Sequence, residues 1–137
     1  MIYITRKEHF NAAHKLWNDA WSPERNHEVF GKCANENWHG HNYYIHVTVK
    51  GKINSETGYL MDLKELSQII KKYVTEKLDH KNLNLDVDFL KGIMPSTENL
   101  VMAVWKQLKE PVEAQGVHLH AVKIFETENN WAEYFGE

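Results

Sequence analysis

The sequence predicts a single α+β domain, residues 1–137, in which two helices cover one face of a four-stranded antiparallel sheet. Three observations support this prediction. The chain has 137 residues, of which 42% are hydrophobic and 26% charged, as is typical of one folded domain. Strand-like alternation occupies both ends of the chain, and helical spacing occupies the middle. The resulting order, β-β-α-α-β-β, favours an antiparallel sheet.

The first two strands are predicted at residues 2–13 and 39–50. In the second, the odd-numbered positions from 39 to 49 read His, His, Tyr, Ile, Val, Val. Because alternate residues of a strand point to opposite faces, its apolar face ends in two histidines. Residues 15–38 show turn chemistry without periodicity, so we expect an irregular loop there. A loop of this length within one domain is usually functional.

The helices are predicted at residues 63–78 and after Pro95, where apolar residues recur at helical spacing. Ser96 or Thr97 is the expected N-cap of the second helix.

Two further strands, residues 117–125 and 131–135, complete the sheet. Helices on one face leave the other face and both sheet edges uncovered. Such edges pair readily with other chains, so we expect a homo-oligomer.

The composition argues against several classes of function. With a net charge of −3, the chain has no excess of basic residues that would indicate binding to nucleic acid. No segment approaches the ~18 apolar residues of a membrane span, and the N-terminus lacks the apolar run of a signal peptide. The single cysteine cannot form an internal disulfide, which fits a reducing compartment. We therefore expect a cytoplasmic protein that binds neither nucleic acid nor membranes.

Three histidines form the candidate metal site. His39 and His41 lie at i and i+2 on a strand, so their imidazoles share a face. His14 ends the first strand and would neighbour His39 if the two strands pair as a hairpin. A catalytic zinc typically has three protein ligands and one open position, and imidazoles suit zinc better than magnesium or calcium. The alternative is a chance His-Gly-His pair in a chain with nine histidines.

Cys33 lies six positions before His39 in a polar segment, and two roles remain open for it. A nearby cation would favour its thiolate, which could then act as a base. As a fourth metal ligand it would instead close the site, and the protein would be a non-catalytic, structural zinc-binding module. Only this second role predicts that a Cys33→Ala variant loses metal and unfolds.

Acidic residues extend the candidate site. Asp79 and His80 follow the first helix, and an Asp-His pair can tune an imidazole for proton transfer. Glu126 lies on the apolar face of a strand, where a carboxylate needs a partner. A ligand with two N–H donors, such as the amino-pyrimidine edge of a pterin or guanine, would satisfy it. An ordinary salt bridge at the strand end is the alternative.

Together these residues resemble the 6-pyruvoyl-tetrahydropterin synthase family, which includes the 6-carboxytetrahydropterin synthases of queuosine biosynthesis. The resemblance runs in order through nearly the whole chain. The matching motifs are Phe10-Asn11-Ala12-Ala13-His14, Cys33-x5-His39-Gly40-His41-Asn42-Tyr43, Leu78-Asp79-His80-Lys81-Asn82-Leu83, Pro95-Ser96-Thr97-Glu98-Asn99 and Phe125-Glu126-Thr127.

The resemblance implies a tunnelling fold, in which trimers form a twelve-stranded barrel, commonly stack into homohexamers and build active sites between subunits. The implied ligands of Zn²⁺ are His14, His39 and His41. The implied catalytic residues are the thiolate Cys33 and its relay partners Asp79 and His80. The implied pterin-binding residues are Glu126, which anchors the ring, and Thr97 and Glu98, which contribute to its recess.

The implied activity is a lyase reaction on 7,8-dihydroneopterin triphosphate. The pyruvoyl enzyme eliminates triphosphate and redistributes hydrogens, whereas the carboxy enzyme also releases acetaldehyde. The five-residue spacer between Cys33 and His39 resembles the pyruvoyl type, and the short chain is equally compatible with the carboxy type. Another tunnelling-fold pterin enzyme, such as an aldolase acting on dihydroneopterin, is a further alternative, against which the His-Gly-His zinc set argues.

Overall fold

A mixed five-stranded sheet with helices packed on one face forms the protein in the computed structural model, which describes residues 1–137. The strands are β1 (Ile2–His14), β2 (His39–Gly51), β3 (Lys81–Asn82), β4 (His118–Phe125) and β5 (Trp131–Tyr134). The helices are α1 (Pro23–Phe30), α2 (Leu63–Ile70), α3 (Glu76–Leu78) and α4 (Thr97–Glu113). A π-helical turn, Lys71–Thr75, joins α2 to α3, and 3-10 turns occupy Gly31–Ala34 and Asp88–Leu90.

The two long strands form the predicted antiparallel pair. β1 and β2 pair without a break from Ile2 opposite Gly51 to His14 opposite His39. The order across the sheet is β3-β1-β2-β4-β5, and β2 pairs with β4 in antiparallel fashion. Even positions of β1 and odd positions of β2 therefore share one face, which the helices cover. The opposite face, as predicted, is not covered by any element of the chain.

The fifth strand corrects the predicted four-stranded antiparallel sheet. β3 runs parallel to β1, with Ala12 opposite Lys81 and Ala13 opposite Asn82. A strand of two residues is too short to show alternation, so the sequence pattern could not reveal it. Its pairing fixes the chain just after α3 against the end of β1.

The predicted irregular loop at residues 15–38 is also corrected, because it contains α1 and a 3-10 turn. Ser22 caps α1 by accepting a hydrogen bond from the Arg25 backbone N–H, and Pro23 occupies the first helical turn. Only Asn26 is buried in this helix. Without an apolar stripe, α1 shows no helical periodicity, although the Ser-Pro start signal is present in the sequence.

The helix predicted at residues 63–78 is present but changes its pitch. Its fully buried residues are Leu66, Ile70, Val74 and Leu78, which are spaced by four. An α-helix advances about 100° per residue, so each four-residue step would rotate this stripe by about 40° away from the sheet. The wider π-helical turn compensates for that drift. The π-helical turn therefore keeps Leu78 in the core and directs the chain after Leu78 toward β1.

Candidate metal centre

His14, His39 and His41 lie together at one end of the sheet, on the face that the helices cover. The pairing of β1 with β2 sets His14 opposite His39 and Ala12 opposite His41. The ring centroids are 4.5 Å apart for His14 and His39, 5.1 Å for His14 and His41, and 4.9 Å for His39 and His41. The structure thus brings together the three histidines that the sequence singled out.

Glu126 is the fourth member of this group. One potential ligand atom from each of the four residues lies within 4.8 Å of all the others. Glu126 directly follows β4, whose last residue, Phe125, pairs with Tyr44 of β2. The sequence predicts either pterin binding or a salt bridge for Glu126, and its proximity to the imidazoles was not predicted. Its place on an apolar strand face was the available signal, but the pairing of β2 with β4 was not readable.

Burial keeps the three imidazoles neutral. Desolvation is the largest influence on each, and it lowers the pKa of His14, His39 and His41 below the ordinary 6.5. The negative charge of Glu126 opposes this effect without reversing it. Neutral imidazoles offer nitrogen lone pairs at neutral pH, which is the form that binds metals.

The hydrogen bonds of the site leave nitrogen atoms available for a metal. His14 Nδ1 donates to the Pro95 carbonyl at 2.7 Å, so its Nε2 carries the lone pair. His14 Nε2, both ring nitrogens of His39 and His41 Nε2 are buried and have no hydrogen-bond partner. Buried polar atoms are rarely left unpaired. Their convergence fits a metal ion with nitrogen ligands, and zinc suits such a donor set.

We expect the free energy of unfolding of the metal-free protein to fall as the pH decreases from about 7 to 5. The folded-state pKa values of His14, His39, His41 and also His46 lie below 6.5, so the unfolded chain binds more protons in this range. The contribution of these neutral imidazoles to the free energy of unfolding is complete above the pKa of histidine in the unfolded chain. It is lost as the pH falls through the lower pKa values of the folded state. Urea unfolding with a chelator at several pH values measures it. A flat profile contradicts the prediction.

Cys33 lies outside this group of ligand atoms. It is a free, half-buried cysteine in the 3-10 turn Gly31–Ala34. Its carbonyl accepts a hydrogen bond from the Leu16 N–H at 2.8 Å, which holds the turn next to the end of β1. Because Glu126 rather than Cys33 is the fourth group among the imidazoles, the geometry does not support a structural site with Cys33 as a ligand.

Asp79 and His80 form a pair at the rim of the sheet. His80 Nδ1 lies 2.9 Å from Asp79 Oδ2, and the Asn11 N–H donates to Asp79 Oδ1 at 2.9 Å. This backbone hydrogen bond is the main cause of the lowered pKa of Asp79. The His80 side chain is 77% exposed, so the pair lies at the surface of the chain. An open groove of about 560 Å³ has both His80 and His41 in its lining.

The structure also brings Thr97 and Glu98 to Glu126. The Thr97 hydroxyl donates to Glu126 Oε2. A cavity of about 480 Å³ is lined by all three residues. Ser96 caps α4 by accepting a hydrogen bond from the Asn99 N–H, so both Thr97 and Glu98 lie in its first turn. These three residues therefore line one cavity at the N-terminus of α4.

Comparisons with known proteins identify relatives over nearly the whole chain. The family model for 6-pyruvoyl tetrahydropterin synthase matches residues 3–137. A 6-pyruvoyl tetrahydrobiopterin synthase of Dictyostelium discoideum is 45% identical over 136 residues, which cover 99% of this chain and 97% of the relative. A protein of Archaeoglobus fulgidus, provisionally named a 6-carboxy-5,6,7,8-tetrahydropterin synthase, is 31% identical over 124 residues, covering 90% and 87%.

The fold has a solved counterpart. The structure of Caenorhabditis elegans 6-pyruvoyl tetrahydropterin synthase superimposes with a TM-score of 0.91 at 34% identity, covering 99% of this chain and 96% of that chain. The likeness extends over the sheet, the helices and the segment between β1 and β2. It supports the predicted tunnelling fold.

Proposed function

The chain belongs to the 6-pyruvoyl tetrahydropterin synthase family, and from that premise we propose that it is a zinc-dependent lyase that converts 7,8-dihydroneopterin triphosphate to 6-pyruvoyl-tetrahydropterin. Membership makes it a pterin synthase of the lyase type. The pyruvoyl product is favoured over the carboxy product because identity is 45% to a relative named for the first and 31% to one named for the second. The five-residue spacer after Cys33 points the same way.

The observation that carries the proposal is the convergence of buried, unpaired imidazole nitrogens at the end of β1 and β2. We assign His14, His39 and His41 as the zinc ligands. When bound there, zinc supplies a Lewis acid that polarises the hydroxyl oxygens of the substrate side chain. The Pro95 carbonyl keeps His14 in the tautomer that binds metal.

The proton transfers are assigned to Cys33 and to the Asp79–His80 pair. Cys33 is assigned as the base, whose thiolate would remove a proton from the substrate side chain. The Asp79 carboxylate, held by the Asn11 N–H, orients His80 through Nδ1 and leaves Nε2 for proton exchange. Since this pair lies at the surface of the chain, we propose that it serves a site shared with a neighbouring subunit.

We propose a homotrimer, or a dimer of trimers, as the working assembly. The sheet ends in the short edge strands β3 and β5, and its second face is bare. Uncovered edges and faces of this kind are stabilised by pairing between copies. The Thr97, Glu98 and Glu126 recess would hold the pterin ring, whose N–H groups are suitable donors to carboxylate oxygens.

The test is incubation of the zinc-loaded protein with 7,8-dihydroneopterin triphosphate, followed by mass analysis of the products. Release of inorganic triphosphate with a three-carbon side chain retained on the pterin supports the proposal. Release of acetaldehyde shows the carboxy reaction and overturns the pyruvoyl product. Unchanged substrate overturns the proposed reaction as a whole.

A further inference from the structure

We propose that Glu126 is a fourth ligand of the resting metal centre, so that the centre is a closed three-histidine, one-carboxylate site before substrate arrives. The assignment rests on the proposed function only in taking zinc as the metal. It differs from the role in pterin binding given above, because it concerns the protein without substrate. The carboxylate lies within the same 4.8 Å group as the imidazole nitrogens.

The contact between Glu126 and His41 is the first support. Glu126 Oε1 lies 3.0 Å from His41 Nε2, which is within ion-pair distance. The two atoms nevertheless do not form a hydrogen bond, and His41 Nε2 has no other partner. Two ligands at 2.0–2.1 Å from one tetrahedral zinc are about 3.3 Å apart. The observed separation is near that value, and because no hydrogen bond joins the two atoms, both can serve as ligands of one ion.

The second support is how Glu126 is held. Thr97 donates its hydroxyl to Oε2, which orients the carboxylate and leaves Oε1 toward His41. Thr97 is itself buried at the first position of α4, where the helix dipole stabilises a negative charge. Ligating carboxylates are typically hydrogen-bonded in this way by a neighbouring group.

The third support is that one short segment holds two members of the group. Residues 95–97 present the Pro95 carbonyl to His14 and the Thr97 hydroxyl to Glu126. Both groups are aimed at the same centre, and neither contact requires a pterin. With Glu126 bound, a substrate oxygen reaches the metal only by replacing the carboxylate or by raising the coordination number from four to five.

Zinc affinity tests the assignment without any pterin. In a competition titration with a chromophoric chelator, we expect Glu126→Gln to weaken zinc binding about 10–100-fold. Glu128→Gln is the matched control, because it removes the same charge from an exposed position two residues away. It should stay within about threefold of the wild type. Circular dichroism of the metal-free variants checks that the fold is kept.

The visible spectrum of the Co²⁺-substituted protein separates ligation from a general charge effect. We expect the ligand-field bands to change in Glu126→Gln and to remain as in the wild type in Glu128→Gln. If Glu126→Gln binds zinc within about threefold of the wild type and keeps its Co²⁺ spectrum, the assignment is wrong, whatever the product assay shows. The wild type could form no pterin product while Glu126→Gln loses zinc affinity and changes its Co²⁺ spectrum. That outcome would support Glu126 as a ligand and overturn the proposed reaction.

Discussion

Replacement of Cys33 by alanine is expected to lower kcat by about 10²–10⁴-fold while leaving the fold and the bound zinc intact. The thiolate is the proposed base, and Cys33 is the only cysteine of the chain. The side chain is only half-buried and lies outside the cluster of metal-ligand atoms, so its loss removes little packing and no ligand. Steady-state kinetics and metal content of the same preparation measure both effects.

Lys32→Ala is the matched control for this experiment, since it shortens a side chain in the same turn and leaves the thiol in place. It should retain kcat within a fewfold of the wild type. Loss of zinc together with unfolding in Cys33→Ala would instead show that the cysteine is a structural ligand. A variant that is folded, zinc-bearing and fully active would remove Cys33 from the mechanism.

The second large effect is expected for His39→Ala, which should lose zinc affinity by at least about 100-fold and lose turnover with it. Both ring nitrogens of His39 are buried, and no protein group forms a hydrogen bond with either of them. The imidazole lies within 4.5 Å of His14 and 4.9 Å of His41, measured between ring centroids. Zinc content after dialysis and product formation at saturating zinc measure the loss.

The chain offers its own control in a second His-x-His pair, His118 and His120. His118 is exposed at the start of β4, and a His118→Ala variant should bind zinc as the wild type does. If His39→Ala keeps stoichiometric zinc after dialysis, the three-histidine site is wrong. Restoration of activity at high zinc concentration would show that the remaining ligands still define the site.

The metal ligands could be predicted because they depend on a single local relation. Alternation places His39 and His41 on one face, and the pairing of two consecutive strands brings His14 opposite His39. Neighbouring strands in the chain usually pair in antiparallel fashion, so this relation needed no knowledge of the rest of the fold. The two main helices and the uncovered sheet face followed from periodicity in the same way.

The missed features depend on contacts between distant parts of the chain. Glu126 reaches the imidazoles because β4 pairs with β2 although residues 52–117 separate the two strands, and no local pattern determines that order. β3 forms only because Lys81 and Asn82 pair with the exposed edge of β1. α1 has a Ser22 N-cap but no apolar stripe, so hydrophobic periodicity could not reveal this helix.

The potential of a segment to span a membrane is a local property of the sequence. No helix in the structure combines the length and the apolar composition that a membrane span requires.

The hydrogen bond from His14 to Pro95 has a consequence for how this protein tolerates mutation. The acceptor is a main-chain carbonyl, so every amino acid at position 95 supplies the same oxygen. The orientation of His14 is therefore encoded by the path of the chain rather than by side-chain identity. Substitutions at position 95 that keep this path should be tolerated, whereas a one-residue insertion or deletion between Gly92 and Ser96 should displace the acceptor and disable the centre.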